Sequence, residues 1–371
     1  MSEWQEFYLE DLAEIHNNKR VPLSSMQRAN KKGIYPYYGA SGIVDYIDEY
    51  AFDGEYVLIS EDGENLKSRN TPIAFKAEGK FWVNNHAHII KGKKDFHNNL
   101  IVHFFRNMDL NEFITGAVQP KLNKASLTSI PFYLPIEEKE QKAIASVLSS
   151  LDDKIDLLHR QNITLERIAE TLFIQWFVEE AQEDWAIGTL KDELDFTMGQ
   201  SPSGSSFNED GNGIAMFQGN ADFGFRFPGE RIYTTEPSRF AEPMDTLISV
   251  RAPVGAQNMA KIKCCIGRGV ATFRYKNNPN FYTYTYFKLR SLIDEIKRFN
   301  GEGTVFGSIS KSDFESLAIT IPNDKDVIKF EVQVKPINDK VINNCEQMQT
   351  LEKLRDTLLP KLMSGDFRVE L

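Results

Sequence analysis

The sequence predicts an α+β protein built as a tandem duplication: two similar mixed α/β lobes joined by two long helices that pack on one another. Three observations carry this. From Ile144, apolar side chains recur at steps of four and three through Leu148, Leu151, Ile155, Leu158, Leu165, Ala169 and Leu172 to Trp176, with Asn162 the one polar residue of the seam. That spacing is the heptad pattern of helix-to-helix packing. The pattern returns near the C-terminus at an offset of 186, where Asp153-Lys154-Ile155 matches Asp339-Lys340-Val341 and Leu165-Glu166 matches Leu351-Glu352. The lobes repeat as well: Trp4, Leu9 and Asp11 match Trp185, Leu190 and Asp192 at an offset of 181, and Gly116, Val118, Lys124, Ser129 and Pro135 match Gly303, Val305, Lys311, Ser316 and Pro322 at 187. A shared order at a nearly constant offset marks an internal repeat.

The elements follow in chain order. Residues 1–136 read as a lobe that is mostly strand: Val57-Leu58-Ile59-Ser60, Ile73-Ala74-Phe75 and Phe81-Trp82-Val83 are short β-prone runs, with Asp62-Gly63 and Glu78-Gly79 as turns. Tyr35 to Gly42 reads as an aromatic loop, Asn99 to Asn107 as a short helix, and Phe132-Tyr133-Leu134-Pro135 as a strand stopped by proline. Residues 137–180 hold the first long helix, whose start carries Glu137, Glu138 and Glu140, where the helix dipole favours carboxylates. Residues 181–322 repeat the first lobe, and 323–371 repeat the helix with the seam Phe330, Val334, Ile337, Val341, Met348, Leu351, Leu358 and Leu362. Pro336 predicts a break between a short helix, Asp326 to Val334, and a longer one; Leu359-Pro360 predicts its stop and Ser364-Gly365 its closure. Asn162 predicts a polar register pin, and Asn162→Leu is expected to hold or raise thermal stability.

At 371 residues and 26% charged the chain is ordinary for a globular protein. The acidic start Met1-Ser2-Glu3-Trp4-Gln5-Glu6 is not a signal peptide, no stretch is apolar for long enough to span a bilayer, and Cys264, Cys265 and Cys345 are an odd number; a cytoplasmic location is the expectation. The net charge of −10 argues against a nucleic-acid partner, but its distribution weakens that argument: Lys+Arg stand 15 to 17 against Asp+Glu in residues 1–135, 15 to 15 in 186–322, and 5 to 12 in 136–185. The acidity lies in the first helical segment, and a near-neutral lobe can present one basic face to phosphate.

Catalytic motifs are sparse. Gly301-Glu302-Gly303 lacks the lysine of a phosphate loop, no Gly-x-Ser-x-Gly elbow exists, and His86-Ala87-His88 has no neighbouring Cys or acidic pair in metal-ligand spacing. What remain are polar loops in matching places. The first lobe offers Lys19, Arg20, Lys67, Arg69, His86, Gln119, Lys121 and Lys124; the second offers Gln200, Ser201, Arg251, Arg268, Ser308 and Lys311. Such side chains bond phosphates and base edges, and they are equally common on plain solvated loops. The glycines of Gly267-Arg268-Gly269 suggest a close backbone approach to a ligand. Two readings stand at this point: a DNA reader, and a non-catalytic two-headed scaffold for protein or carbohydrate.

The stretches YPYYGASGIVDYIDEY, GEYVLISEDGENL and GAVQPKLN in the first lobe, with GQSPSGSSFNEDGNGIAMFQGNADFG, DTLISVRAPVG, CIGRGVATFRY and GTVFGSISKSDFESL in the second and LEKLRDTLLPKLMSGDFRV at the end, resemble the specificity subunit of type I restriction-modification enzymes. The resemblance implies two target recognition domains on an antiparallel coiled coil, related by a pseudo-two-fold axis. Each domain would read one half of a split double-stranded DNA site. It also implies no catalysis and no cofactor in this chain, with two methylation subunits using S-adenosylmethionine and two restriction subunits using ATP and Mg. The outer face of 136–185 should dock protein, and truncation before Asp356 should weaken recruitment of a methylation subunit.

Overall fold

The structure is a computed structural model that describes residues 3–116, 118–298 and 308–369. By packing it divides into two units, Met1–Asp156 with Met348–Leu371, and Leu157–Gln347. Each unit therefore combines a lobe with stretches of both long helices.

In the first unit the strands are β1 (Trp4–Phe7), β2 (Ala13–Ile15), β3 (Lys32–Gly39), β4 (Gly42–Ile47), β5 (Phe52–Asp53), β6 (Tyr56–Ser60), β7 (Ala74–Ala77), β8 (Lys80–Val83), β9 (Ala87–Gly92) and β10 (Phe132–Pro135). β2-β9-β6-β7 form the main sheet, β4-β3-β8-β5 a second sheet with β3 parallel to β8, and β1 pairs with β10. Val57, Leu58 and Ile59 are fully buried, because both faces of β6 are covered and the strand is a continuous apolar run.

The second unit repeats this plan. Its strands are β11 (Ala186–Thr189), β12 (Leu194–Met198), β13 (Phe207–Asn208), β14 (Ile214–Phe217), β15 (Tyr233–Thr234), β16 (Phe240–Ala241), β17 (Thr246–Ser249), β18 (Gln257–Met259), β19 (Cys264–Ile266), β20 (Val270–Tyr275) and β21 (Ala318–Ile321). β12-β20-β17-β18 answers the main sheet, β14 runs parallel to β19 as β3 does to β8, and β11 pairs with β21. The duplication read from sparse identities is thus a duplication of topology.

The first long helix runs Glu138–Ile174 and continues into a π-helical turn, Gln175–Glu179; the second runs Asp324–Ser364. In each unit the two helices run antiparallel. In the first unit Ile144, Ala145 and Leu148 share a core with Leu359, Leu362 and Met363, Arg355 donates to Asp152 at 2.8 Å, and Arg368 to Glu140 at 2.7 Å. In the second, Asn344 Nδ2 donates to Asn162 Oδ1 at 2.9 Å and the rings of Phe173 and Phe330 lie 5.5 Å apart.

Two local expectations are corrected. Pro336 and Pro360 do not interrupt the second helix. The carbonyls that their missing N–H groups release are those of Val332 and Asp356, both on exposed residues where water serves, and burial of Phe330, Val334 and Val341 outweighs a proline penalty of about 3 kcal/mol. Tyr35 to Gly42 is a hairpin, with Gly39 paired to Gly42 across a two-residue turn, because alternating aromatics suit a pleated surface better than a loop. The C-terminal stretch after Asp356 supplies Leu359, Leu362 and Met363 to the core of the first unit, so truncation there removes core and does not isolate a docking element. Helix closure is as expected: Gly365 takes φ +81, the left-handed cap. Gly301-Glu302-Gly303, Val305 and the start of the GTVFGS run lie outside the described residues.

Candidate nucleic-acid interface

The ends of the main-sheet strands in the second unit are knitted together by backbone bonds. Val250 N donates to Gly269 O at 2.9 Å, Ile309 N to Val250 O at 3.0 Å, and Gln200 N to Ile266 O at 3.0 Å. Arg251 and Ser308 form an antiparallel bridge, and Arg268 N donates to Ser201 Oγ at 3.2 Å. This gathers Gln200, Ser201, Arg251, Arg268 and Ser308 on one rim. Lys311 follows on the first turn of the helix Lys311–Ser316, capped by Ser310, with its ammonium 3.5 Å from Glu315. Arg251 and Arg268 are exposed, and the Arg268 guanidinium makes no hydrogen bond or ion pair among the described residues.

The glycines flanking Arg268 have a different cause from the one the sequence suggested. A Cβ on Gly269 would lie 2.1 Å from Gln218 O, and one on Gly199 would lie 2.2 Å from Gly267 O. The close approach is between three stretches of this chain's own backbone.

The first unit builds the corresponding rim with the same bonds. Glu61 N donates to His86 O at 2.9 Å, Leu122 N to Glu61 O at 2.8 Å, and Asp62 bridges Lys121 as Arg251 bridges Ser308. Arg20, His86, Gln119 and Lys121 are brought here, with Lys19 exposed beside Arg20. Their states differ. Arg20 Nη1 is held by Glu61 at 2.5 Å and by the carbonyls of Ala87 and Asn85 at 2.9 and 3.2 Å, so it braces the rim and is not free to read a base. Burial opposes ionisation of Glu61, yet the hydrogen bond and charge of Arg20, with Lys121 nearby, hold its carboxyl below the usual range. His86 is exposed with Nδ1 2.9 Å from the Asp62 carboxylate. His88 is buried, 2.7 Å from Leu122 O through Nε2, and desolvation pushes its pKa down, so it is a neutral strut. The two imidazoles thus meet different surroundings.

Arg69 is not on the rim. It takes φ +51 and donates to the carbonyls of Arg106 and Met108 at the end of the helix His97–Asn107, where a cation complements the dipole. Lys67 and Lys124 are exposed on the short helices Asn65–Ser68 and Lys124–Thr128. Sequence reasoning missed Gln218 and Arg239. Both are exposed; Phe217 O accepts from Gly267 N at 2.8 Å and Arg239 O from Ile266 N at 2.9 Å, which sets them beside the rim. Only strand register reveals this, and no motif marks it.

The family model for the type I restriction modification DNA specificity domain matches residues 1–167 and 182–335. The chain belongs to the type I restriction-modification specificity subunits. It is 31% identical over 290 residues to the putative type I restriction enzyme MjaX specificity subunit of Methanocaldococcus jannaschii, covering 73% of this chain and 67% of that protein. It is 26% identical over 345 residues to the MjaIX specificity subunit of the same organism, covering 83% of this chain and 78% of the relative. The fold is similar to the crystal structure of the type I restriction-modification system S subunit from M. genitalium, with a TM-score of 0.64 at 16% identity over 97% of this chain and 96% of that one. The specificity subunit recognises DNA sequence, and its two domains fit a bipartite target. Among its described residues no helix is long and apolar enough to cross a membrane.

Proposed function

We propose that each unit of this specificity subunit reads one half-site through its rim, with Arg251, Arg268, Gln200, Ser201, Ser308 and Lys311 serving one half and His86, Gln119, Lys121, Lys19 and Lys124 the other. The observation that carries this is the recurrence of one backbone scaffold in both units with different side chains mounted on it: Asp62–Lys121 against Arg251–Ser308, and His86 against Gly269. A conserved frame with exchanged side chains is what reading two different sequences requires, whereas a scaffold for one partner class would repeat its side chains. The subunit is itself non-catalytic in this reading. It recruits two methylation and two restriction subunits, which bring S-adenosylmethionine, ATP and Mg. Exposed Leu157, Ile168 and Ile174 on the first long helix, at 41%, 45% and 38%, support a protein-docking outer face there.

Arg268→Ala tests the reading. An arginine bidentate to guanine supplies about 1–3 kcal/mol of discrimination, whereas a phosphate contact lowers affinity for all sequences alike. Methylation-site sequencing in cells should show a relaxed half-site for the second unit and an unchanged other half. A change in the half read by residues 1–136 refutes the one-unit, one-half-site assignment; unaltered sites in both halves remove Arg268 from it.

A further inference from the structure

We propose that Gln218 reads an adenine in the half-site served by the second unit; this rests on the DNA-reading role of that rim. Gln218 is the first residue after β14 and its side chain is exposed. Its backbone is fixed from both sides. Gln218 N donates to the buried Asp222 Oδ2 at 2.7 Å, Phe217 O accepts from Gly267 N at 2.8 Å, and Gln218 O packs so near Gly269 that a Cβ there would lie 2.1 Å away. The base of the side chain lies against the neighbouring loop: a Cβ built on Gly267 would lie 3.3 Å from Ser201 Oγ and 3.4 Å from Gln218 Cγ. Gln218 therefore stands beside Ser201 and the loop carrying Arg268.

Its carboxamide makes no hydrogen bond among the described residues and, like the Arg268 guanidinium beside it, faces outward from the rim. Held out on a rigid frame, the amide offers one donor and one acceptor side by side, the pattern that matches adenine N7 and N6 in the major groove. It carries no charge, so phosphate binding falls to Arg251 and Lys311 instead. The corresponding place in the first unit is Gly39, since Asn84 N donates to Tyr38 O at 3.0 Å as Gly267 N does to Phe217 O. Glycine has no side chain to read with, so the contact belongs to one half-site only.

The test uses the full chain co-expressed with its methylation partners and selects bound duplexes from a randomised library. Gln218→Ala should lose preference for adenine at one position of the second unit's half-site by about tenfold or more, leaving the other half unchanged. The isosteric Gln218→Glu, which keeps the fold, should move that preference towards cytosine, whose amino group a carboxylate accepts. If both variants select the wild-type site while Arg268→Ala alters it, the Gln218 assignment falls and the rim reading stands. If none of the three changes selection, both fall. Uniform weakening across all sequences with an unchanged melting temperature also overturns base reading by Gln218.

Discussion

The ion pair between Glu166 and Arg226 gives the sharpest stability prediction, because its two halves are unequally supported. Arg226 lies on the segment that leaves Gln218 and Glu166 on the first long helix; their side chains are 0% and 9% exposed, and Nη2 donates to Oε1 at 2.5 Å. The rest of the guanidinium has little else: it lies 4.0 Å from the Tyr286 ring centroid, and Nε and Nη1 have no hydrogen-bond partner among the described residues. Glu166, by contrast, has a second cation, Arg290 Nη1, at 3.8 Å. Glu166→Gln therefore strands a buried charge and should cost about 3–5 kcal/mol. Arg226→Met leaves Glu166 beside Arg290 and should cost less, about 2–3 kcal/mol. The pair Glu166→Leu with Arg226→Met removes both charges and should sit within about 1 kcal/mol of the wild type, or above it. Urea unfolding of the wild type and the three variants measures these differences. Equal losses for the two single variants, or a Glu166→Gln loss under about 1 kcal/mol, would show that Arg226 is not held by Glu166.

The buried seam asparagine behaves as a pair. Asn162 and Asn344 are both fully buried and hydrogen-bonded to each other, so Asn162→Leu alone should lose about 1–3 kcal/mol by stranding the Asn344 amide, against the simpler expectation of no loss, while changing both to Leu should hold or raise the melting temperature. Buried Leu148→Ala should cost about 2–5 kcal/mol in chemical denaturation; a loss under about 0.5 kcal/mol would mean that the seam is misassigned. His103 is buried, and desolvation lowers its pKa from 6.5 to about 4, so the folded state keeps it neutral where the unfolded chain protonates. Its contribution is present above pH 6.5 and is lost as pH falls towards 4, by up to about 3 kcal/mol; His103→Asn should flatten unfolding free energy across that window, and an unaltered slope would exclude His103 as the source.

How much of this was legible in the sequence depends on the range of the interaction. The helix seam was legible because its period is local: Ile144, Leu148, Leu158 and Ala169 are buried as the heptad requires, while Leu151, Ile155, Leu165, Leu172 and Trp176 of the same seam are half-buried. The duplication was legible because topology left a constant offset in scattered identities. Pro336 misled because the sequence shows a lost donor but not that the freed carbonyl faces water, nor how much core the helix buries on either side. The rim was half legible. Arg251, Arg268, Ser308, Gln200 and Ser201 were named one by one as loop polars, but their gathering depends on the pairing of β20 with β12 and β17, which joins residues far apart in the chain. Arg20 and Arg69 looked identical to Arg268 in sequence. Only their partners, a carboxylate and carbonyls for Arg20 and the end of a helix for Arg69, separate braces from free cations.

The division of labour within each rim explains how two lobes of one ancestry can serve different sequences. The backbone bonds that hold the rims need no particular side chain: Val250 N to Gly269 O and Glu61 N to His86 O are the same bond made by unlike residues. Stability is thus carried by main chain and by sheets whose strands, Tyr56–Ser60 and Thr246–Ser249, are buried throughout. The exposed positions are left free to vary, and they have varied: Asn85 stands where the other unit has Arg268, and Lys121 where it has Ser308. Each exchange alters the chemistry offered to a base without touching a core residue, so its cost in stability stays within the roughly 0.5 kcal/mol typical of surface substitutions. The acidic excess lies in the helical stretch 136–185, where Lys+Arg are 5 against 12 Asp+Glu, and the lobes are near neutral. A net charge of −10 is therefore compatible with DNA recognition, because the acidic excess belongs to the helical stretch and each lobe is near neutral.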